Sequence, residues 1–234
     1  MKLEEREMAC LKAIGELPID DYVLIGGYAA SSFDFPRFSV DLDIVIRAAK
    51  EKSFLGILEK QGFKPIASKA EHLQDLYGGR FKRLEKEQVK ASVDLLINSV
   101  ISRQTKTSYA FAYVFRHSEL REVSGFSSSL KVKARVANRE MLIALKTNSM
   151  RLADKRDIVA LCNGEIYVET VANHLKRCPQ SIILKNIDSF LETLDDQRYK
   201  DSLKGVFRLS DSAYVRIMER ARQAMIHVKG SLND

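Results

Sequence analysis

The 234-residue sequence has no tryptophan and few residues that break regular structure, with 11 glycines and 4 prolines. This low content excludes collagen-like chains, mucin-like stalks and proline-rich linkers. Its three cysteines are odd in number, widely spaced and never arranged as CxxC: Cys10, Cys162 and Cys178. The cysteine pattern argues against a disulfide framework or a structural zinc site and is typical of a reducing compartment.

Long hydrophobic runs are also missing. No stretch approaches the roughly 18 consecutive apolar residues that a membrane span needs. Residues 1–17 mix acids and bases along a helical period, which predicts a helix and not a secretory signal. We therefore expect a cytoplasmic protein that has no membrane partner.

The charge is unbalanced toward the basic side. Lysine and arginine number 38 against 31 aspartates and glutamates, a formal net charge of +7. Such an excess favours polyanionic partners such as nucleic acid or nucleotide phosphates, although a solvated basic surface is the alternative. Two stripes have the spacing to follow a phosphate backbone or simply to face solvent: Lys131, Lys133 and Arg135 on a predicted strand, and Arg216, Arg220, Arg222 and Lys229 on the last helix.

Apolar periodicity predicts two regions that differ in structure. Before residue 138, alternating and helical patterns are interspersed, and after it only helical spacing remains. We predict a mixed α/β domain over residues 1–137 and a helical region over 138–234. Within the first region the patterns predict helices at 3–17 and 50–61, strands at 22–25 and 40–46, and hairpins at 80–84 with 89–97 and 118–126 with 130–136.

Two aspartates stand at the start of the second predicted strand. Acidic and apolar residues alternate in Asp41-Leu42-Asp43-Ile44, so Asp41 and Asp43 share one face while the apolar side chains point to the core. Two carboxylates this close repel unless a shared proton, an arginine or a divalent metal neutralises them. Arg37 is a candidate for that counter-charge, or else a loop residue. An oxygen-rich, partly open site suits Mg²⁺, which also bridges substrate phosphates.

Two further features accompany this acidic pair. Gly26-Gly27 follows a short apolar run, where it lets the backbone approach a phosphate in front of a helix N-terminus. A third acid, Asp94, interrupts the apolar strand pattern of Val93-Asp94-Leu95. If the two acidic strands are neighbours, three carboxylates converge, an arrangement that suits two-metal phosphoryl or nucleotidyl transfer, in which two ions clamp the attacking and leaving oxygens.

These motifs together resemble a known superfamily. Gly26-Gly27, Arg37-Phe38-Ser39-Val40-Asp41-Leu42-Asp43 and Val93-Asp94-Leu95 look like the signature of the DNA polymerase β-like nucleotidyltransferases. The form of the acidic motif is most similar to the AbiEii-type branch, which includes toxins of toxin–antitoxin systems. That branch also carries a lysine followed by an aspartate, which Lys146 and Asp157 match, whereas Ala160 and Leu161 occupy the place of its final aspartate.

The resemblance implies a mixed β-sheet core flanked by helices. It also implies that Asp41 and Asp43 bind metal, that Asp94 binds metal or activates the acceptor hydroxyl, and that Lys146 and Asp157 act in catalysis. The nucleotide would be held by Gly26, Gly27, Arg37, Ser39 and Lys146. The reaction would transfer a nucleoside monophosphate from an NTP, with Mg²⁺, to an acceptor hydroxyl. The basic charge favours RNA or tRNA as that acceptor, and the branch suggests an antitoxin as protein partner.

Two other classes of protein could carry part of this pattern. The haloacid dehalogenase-type phosphatases also carry a DxD motif, but their acids end an apolar strand, whereas here the apolar run follows Asp41 and Asp43. We therefore reject that class. The second alternative is a catalytically silent domain of the nucleotidyltransferase type that binds nucleotide or RNA. The presence of all three acids disfavours it.

Overall fold

The computed structural model describes residues 2–39, 41–66, 75–207 and 209–233. Val40, which we expected to begin the second strand, lies outside these ranges. The internal contacts divide the chain into two compact units. The first contains Met1–Ser32, Pro36–Ile101 and Ser108–Asn138, and the second contains Phe33–Phe35, Ser102–Thr107 and Arg139–Asp234.

A mixed sheet of seven strands forms the centre of the first unit. Its strands and those of a small two-stranded sheet are β1 (Tyr22–Ile25), β2 (Asp41–Ile46), β3 (Lys64–Pro65), β4 (Arg80–Lys86), β5 (Ala91–Ile97), β6 (Ser99–Ile101), β7 (Ser108–Ala110), β8 (Ser118–Ser124) and β9 (Lys131–Ala137). The large sheet has the order β3-β4-β5-β2-β1-β9-β8, and β6 pairs with β7. The pairs β2–β5 and β1–β9 are parallel and the others are antiparallel. The predicted mixed α/β fold is confirmed.

Among the described residues of this unit, four α-helices accompany the sheet: α1 (Leu3–Glu16), α2 (Gly26–Ser31), α3 (Glu51–Lys60) and α4 (Phe111–Arg116). Helix α1 packs against β5 and β9 and buries Leu11 and Ile14. Phe54 of α3 contacts the ring of Tyr22 edge to face, with ring centroids 6.2 Å apart. The strand residues that alternate with the acids are fully buried on the apolar face of the sheet, among them Leu42 and Ile44.

The periodicity correctly predicted both hairpins, which are β4–β5 and β8–β9. It missed β3, β6, β7 and α4, which have two, three, three and six residues. Segments this short contain too few alternations or turns for a pattern to emerge from the sequence.

The second unit contains the helices α5 (Arg139–Ser149), α6 (Leu152–Leu161), α7 (Val168–Leu175), α8 (Gln180–Thr193), α9 (Gln197–Phe207) and α10 (Asp211–Asn233). Helix α10 packs against α6, α7 and α8, and α5 packs against the same three helices. Their buried stripes include Ile143, Ile158, Ile187 and Ile217. In the described ranges, the helices are all too short or too polar to span a bilayer.

Candidate active site

The three candidate aspartates lie in two adjacent rows that run across the neighbouring strands β2, β5 and β4. In the parallel pairing of β2 with β5, Asp43 is opposite Asp94, and in the antiparallel pairing of β5 with β4, Asp94 is opposite Arg83. The adjacent row contains Asp41, Ser92 and Glu85. Because side chains two apart on a strand share a face, both rows present their polar groups on the same side of the sheet.

The two acidic strands are therefore neighbours, as the proposed convergence required. Their opposite face carries the fully buried Leu42, Ile44, Val93 and Leu95. Hydrophobic burial on that face fixes the register, because a slip of one residue would turn the acids into the core. The carboxylate of Asp94 is 16% exposed and that of Asp41 is 45% exposed, so the site is partly open to solvent.

Gly26 adjoins this site at the end of β1. Ile25 is the register partner of Asp43, and Gly26 follows with a φ of +73° at the start of α2. A Cβ atom at Gly26 would overlap the Oδ2 atom of Asp43. Two independent requirements therefore select glycine here: a left-handed backbone conformation and close approach to a carboxylate.

Gly27 lies against the segment that precedes β2. A Cβ atom there would be 2.5 Å from Ser39 Oγ and 3.1 Å from Arg37 Nη2. Tyr28 donates a hydrogen bond from its hydroxyl to the Ser39 carbonyl at 3.0 Å, and Ser31 Oγ accepts one from the Arg37 backbone N–H at 3.2 Å. Helix α2 thus holds Arg37 and Ser39 beside the glycine pair.

Arg83 is a site residue that the sequence analysis missed. Its Nη1 donates to Asp94 Oδ1 at 3.2 Å, and its Nη2 reaches Asp41 Oδ1 at 3.4 Å and Ser92 Oγ at 2.9 Å. Its Nε donates to Glu85 Oε1 at 3.1 Å. The available signal was the predicted hairpin of β4 with β5, but only a known register identifies which β4 side chain faces Asp94.

The contacts with these carboxylates shift the pKa of Arg83. Partial burial alone would lower the pKa of the guanidinium, but Asp94, Glu85 and Asp41 raise it above its usual value. The group is therefore a permanent cation among carboxylates. Ser92, which is 4% exposed, donates a short hydrogen bond to Asp41 Oδ1 and so fixes the orientation of that carboxylate.

The donor set of this face matches the chemistry of Mg²⁺, because its side-chain ligands are carboxylate and hydroxyl oxygens. Within the described ranges, no three or more His, Cys, Asp or Glu side chains are grouped closely enough to hold a metal ion by themselves. Mg²⁺ is commonly held by one or two carboxylates together with substrate phosphates, not by a complete protein cage. Asp43 and Asp94, which are register partners, supply two such carboxylates, and Asp41 lies in the adjacent row of the same face.

Lys146 and Asp157 lie in the second unit, where they form an ion pair. Lys146 Nζ is 2.7 Å from Asp157 Oδ2 and 3.1 Å from Asp154 Oδ1. Lys146 is 6% exposed and each aspartate is 1% exposed. These contacts connect α5 to α6. Of the sequence candidates, Gly26, Gly27, Arg37, Ser39, Asp41, Asp43 and Asp94 belong to the first unit and Lys146 and Asp157 to the second.

Asp154 completes this buried network and was not among the sequence candidates. It accepts hydrogen bonds from Ser149 Oγ at 2.7 Å and from the Arg151 backbone N–H at 3.0 Å, the latter at the N-terminus of α6. Burial would raise its pKa, but Lys146, Arg151 and Ser149 lower it from 3.8 to about 2. Lys146 therefore lies within ion-pair distance of two carboxylates, and one of them, Asp154, is held ionised.

Several cations of the two basic stripes form ion pairs. On β9, Lys131 pairs with Glu122 and Arg135 with Asp20. On α10, Arg222 pairs with Asp195 and Lys229 with Asp188. Part of the positive charge that we assigned to each stripe is therefore balanced locally.

No protein-family model and no curated protein matches the sequence. Among solved structures, MenT4, a nucleotidyltransferase toxin from Mycobacterium tuberculosis, is similar over 96% of this chain and 82% of its own, with a TM-score of 0.54 and 12% identity. JHP933 from Helicobacter pylori is similar over 98% of this chain and 91% of its own, with a TM-score of 0.49 and 19% identity. The mixed sheet and the likeness to MenT4 lead to one conclusion: this chain has the nucleotidyltransferase fold that its motifs predicted.

Proposed function

We propose that this protein is a Mg²⁺-dependent nucleotidyltransferase that transfers a nucleoside monophosphate from an NTP to an acceptor hydroxyl in the cytoplasm. The observation that carries the proposal is the register of Asp43 opposite Asp94, with the Gly26 backbone packed against the Asp43 carboxylate. Carboxylates on a rigid sheet, beside a glycine turn that leads into a helix, supply the two halves of a metal–triphosphate site.

In the proposed reaction the acceptor oxygen attacks the α-phosphorus of the NTP. A new P–O bond forms as the bond between the α-phosphorus and the α,β-bridging oxygen breaks, and pyrophosphate leaves with that electron pair. The divalent metal, when bound, neutralises charge on the phosphates and lowers the barrier to attack. Asp41 and Asp43 would hold that ion, and Asp94 would either hold it too or accept the acceptor's proton.

The remaining residues of the first unit orient the nucleotide. We place the triphosphate along the backbone of Gly26 and Gly27 at the start of α2, where the missing side chains also let Asp43, Arg37 and Ser39 lie close to that backbone. Ser39 and Arg37, held next to Gly27, supply a hydroxyl and a guanidinium to phosphate oxygens. Lys146 and Asp157 are proposed as further catalytic groups because they match the AbiEii-type motif.

RNA, and tRNA in particular, is the acceptor that we propose. The net charge of +7 supports a polyanionic substrate. The likeness to MenT4, whose description is a nucleotidyltransferase toxin, supports a toxin role and hence an antitoxin partner.

The deciding experiment incubates the protein with each α-³²P-labelled NTP, with and without total tRNA, in Mg²⁺ or in EDTA. We expect label from one or more NTPs to move into RNA only with Mg²⁺, and Asp43→Asn to abolish the transfer. If the label appears in protein and not in RNA, the acceptor is a protein and the RNA proposal is wrong. Absence of label from every pool, together with Mg²⁺-NTP binding detected by a raised melting temperature, would favour the catalytically silent alternative.

A further inference from the structure

We infer that Arg83 is a built-in counter-ion that occupies the acidic face in the metal-free protein and that a divalent cation must displace on binding. This inference rests on the proposed function, because it concerns the same metal site. It assigns a role to a residue that no sequence motif singled out.

The guanidinium of Arg83 contacts three different carboxylates. Each of its three nitrogens contacts an acid: Nη1 contacts Asp94 at 3.2 Å, Nη2 contacts Asp41 at 3.4 Å, and Nε contacts Glu85 at 3.1 Å. Arg83 therefore bridges the two rows, because it contacts Asp94 in one row and Asp41 in the other. A planar fork with fixed donor directions is suited to such bridging, and a lysine is not.

Arg83 and a bound Mg²⁺ would compete for the same carboxylate oxygens of Asp94 and Asp41. Mg²⁺ coordinates carboxylate oxygen at about 2.0–2.1 Å, whereas Arg83 already lies within hydrogen-bond reach of Asp94 Oδ1 and Asp41 Oδ1. A dication placed between these carboxylates would repel the guanidinium strongly at such short range. The divalent charge prevails at oxygens that it contacts directly, so the arginine must withdraw.

Arg83 has a second position available beside Glu85, away from the two aspartates. Glu85 lies one row away from Asp94 on the same strand as Arg83, and its side chain is 39% exposed. Because Nε already contacts Glu85, the two Nη groups can leave the aspartates while one ion pair is kept. Charge neutralisation thus passes from Arg83 to the metal without leaving the guanidinium unpaired.

The test measures Mg²⁺ binding directly, by calorimetric titration without nucleotide, in the wild type, Arg83→Gln and Arg80→Gln. Arg80 is the matched control: it lies on the same strand and carries the same charge, but it pairs with Glu51 of α3. We expect Arg83→Gln to bind Mg²⁺ roughly three- to ten-fold more tightly than Arg80→Gln, the effect of removing one partly exposed competing ion pair.

Melting temperatures supply a second readout. In EDTA, Arg83→Gln should melt below Arg80→Gln because its carboxylates repel, and saturating Mg²⁺ should narrow that difference. If Arg83→Gln does not fold, Arg83→Lys replaces it, and its Mg²⁺ affinity should exceed that of the wild type because an ammonium cannot bridge both rows.

Three results would count against the inference. Equal or weaker Mg²⁺ binding by Arg83→Gln than by Arg80→Gln would overturn it while leaving the proposed function intact, and so would a melting difference that Mg²⁺ does not narrow. If the wild type shows no Mg²⁺ binding that Asp43→Asn weakens, either alone or in the presence of NTP, the metal site of the proposed function fails, and this inference fails with it.

Discussion

Asp43 and Asp94 are direct register partners across the parallel pairing of β2 with β5. The two residues are 51 positions apart in the sequence, yet hydrogen-bonded strands hold them side by side. On the opposite face the same strands contribute Leu42, Ile44, Val93 and Leu95 to the core. Burial of that face therefore stabilises the arrangement of the acids, and the carboxylates do not have to attract one another to stay adjacent.

Removing the charge of Asp43 or Asp94 should abolish activity without unfolding the protein. We expect Asp43→Asn and Asp94→Asn each to lower kcat/KM for NTP by at least about a hundred-fold, since each removes a preorganised charge of the site. Steady-state kinetics with circular dichroism as a fold check would measure this. Asp20→Asn, at a side chain that is 79% exposed, is the control and should leave the rate unchanged. Near wild-type activity in Asp94→Asn would exclude that residue from the site.

A side chain at Gly26 should disturb Asp43. The added methyl of Gly26→Ala would overlap Asp43 Oδ2 and would also have to adopt a φ of +73°. We expect loss of nucleotide-dependent thermal stabilisation and a free energy of unfolding lowered by about 1–3 kcal/mol. In contrast, Gly56 lies within α3 with open space around it, so Gly56→Ala should stabilise by about 0.5–1 kcal/mol. Equal effects of the two changes in urea unfolding would contradict this prediction.

Lys146 should be essential for the stability of the helical unit, whatever its role in catalysis. Lys146→Met would leave Asp154 and Asp157 buried together without their shared cation. We expect the free energy of unfolding to fall by about 3–5 kcal/mol, as for other broken buried pairs. Lys131→Met is the comparison, because Lys131 and its partner Glu122 are each 62% exposed, and it should change stability by less than about 1 kcal/mol. If urea unfolding shows similar losses of unfolding free energy in both variants, the structural role of Lys146 is refuted.

The depressed pKa of Asp154 predicts loss of stability in acid. Its folded pKa of about 2 lies below the ordinary 3.8, so between these values the unfolded chain binds more protons than the folded protein. The contribution of Asp154 is therefore complete above pH 3.8 and is lost as the pH falls toward 2. Urea unfolding at several pH values should show a steeper decline for the wild type than for Asp154→Asn. Parallel curves for the two proteins would mean that Asp154 is not held ionised.

The sequence alone determined the mixed α/β class and the candidate acids, because strand alternation and glycine pairs are local signals that survive without tertiary context. The alternation around Asp41, Asp43 and Asp94 sufficed to place them on polar faces. It also sufficed to predict both hairpins. The roles of these residues, and those of Gly26, Gly27, Arg37, Ser39, Lys146 and Asp157, stay predictions.

Only the tertiary structure decided which side chains meet. Strand order and register placed Arg83 against Asp94 and Asp41, and helix packing placed Lys146 between Asp154 and Asp157. Such pairings depend on which strands and helices become neighbours, and the free energy that selects the neighbours comes from the buried apolar surface of many residues at once. A period in the sequence shows which way a side chain faces, but it carries no information on what stands opposite.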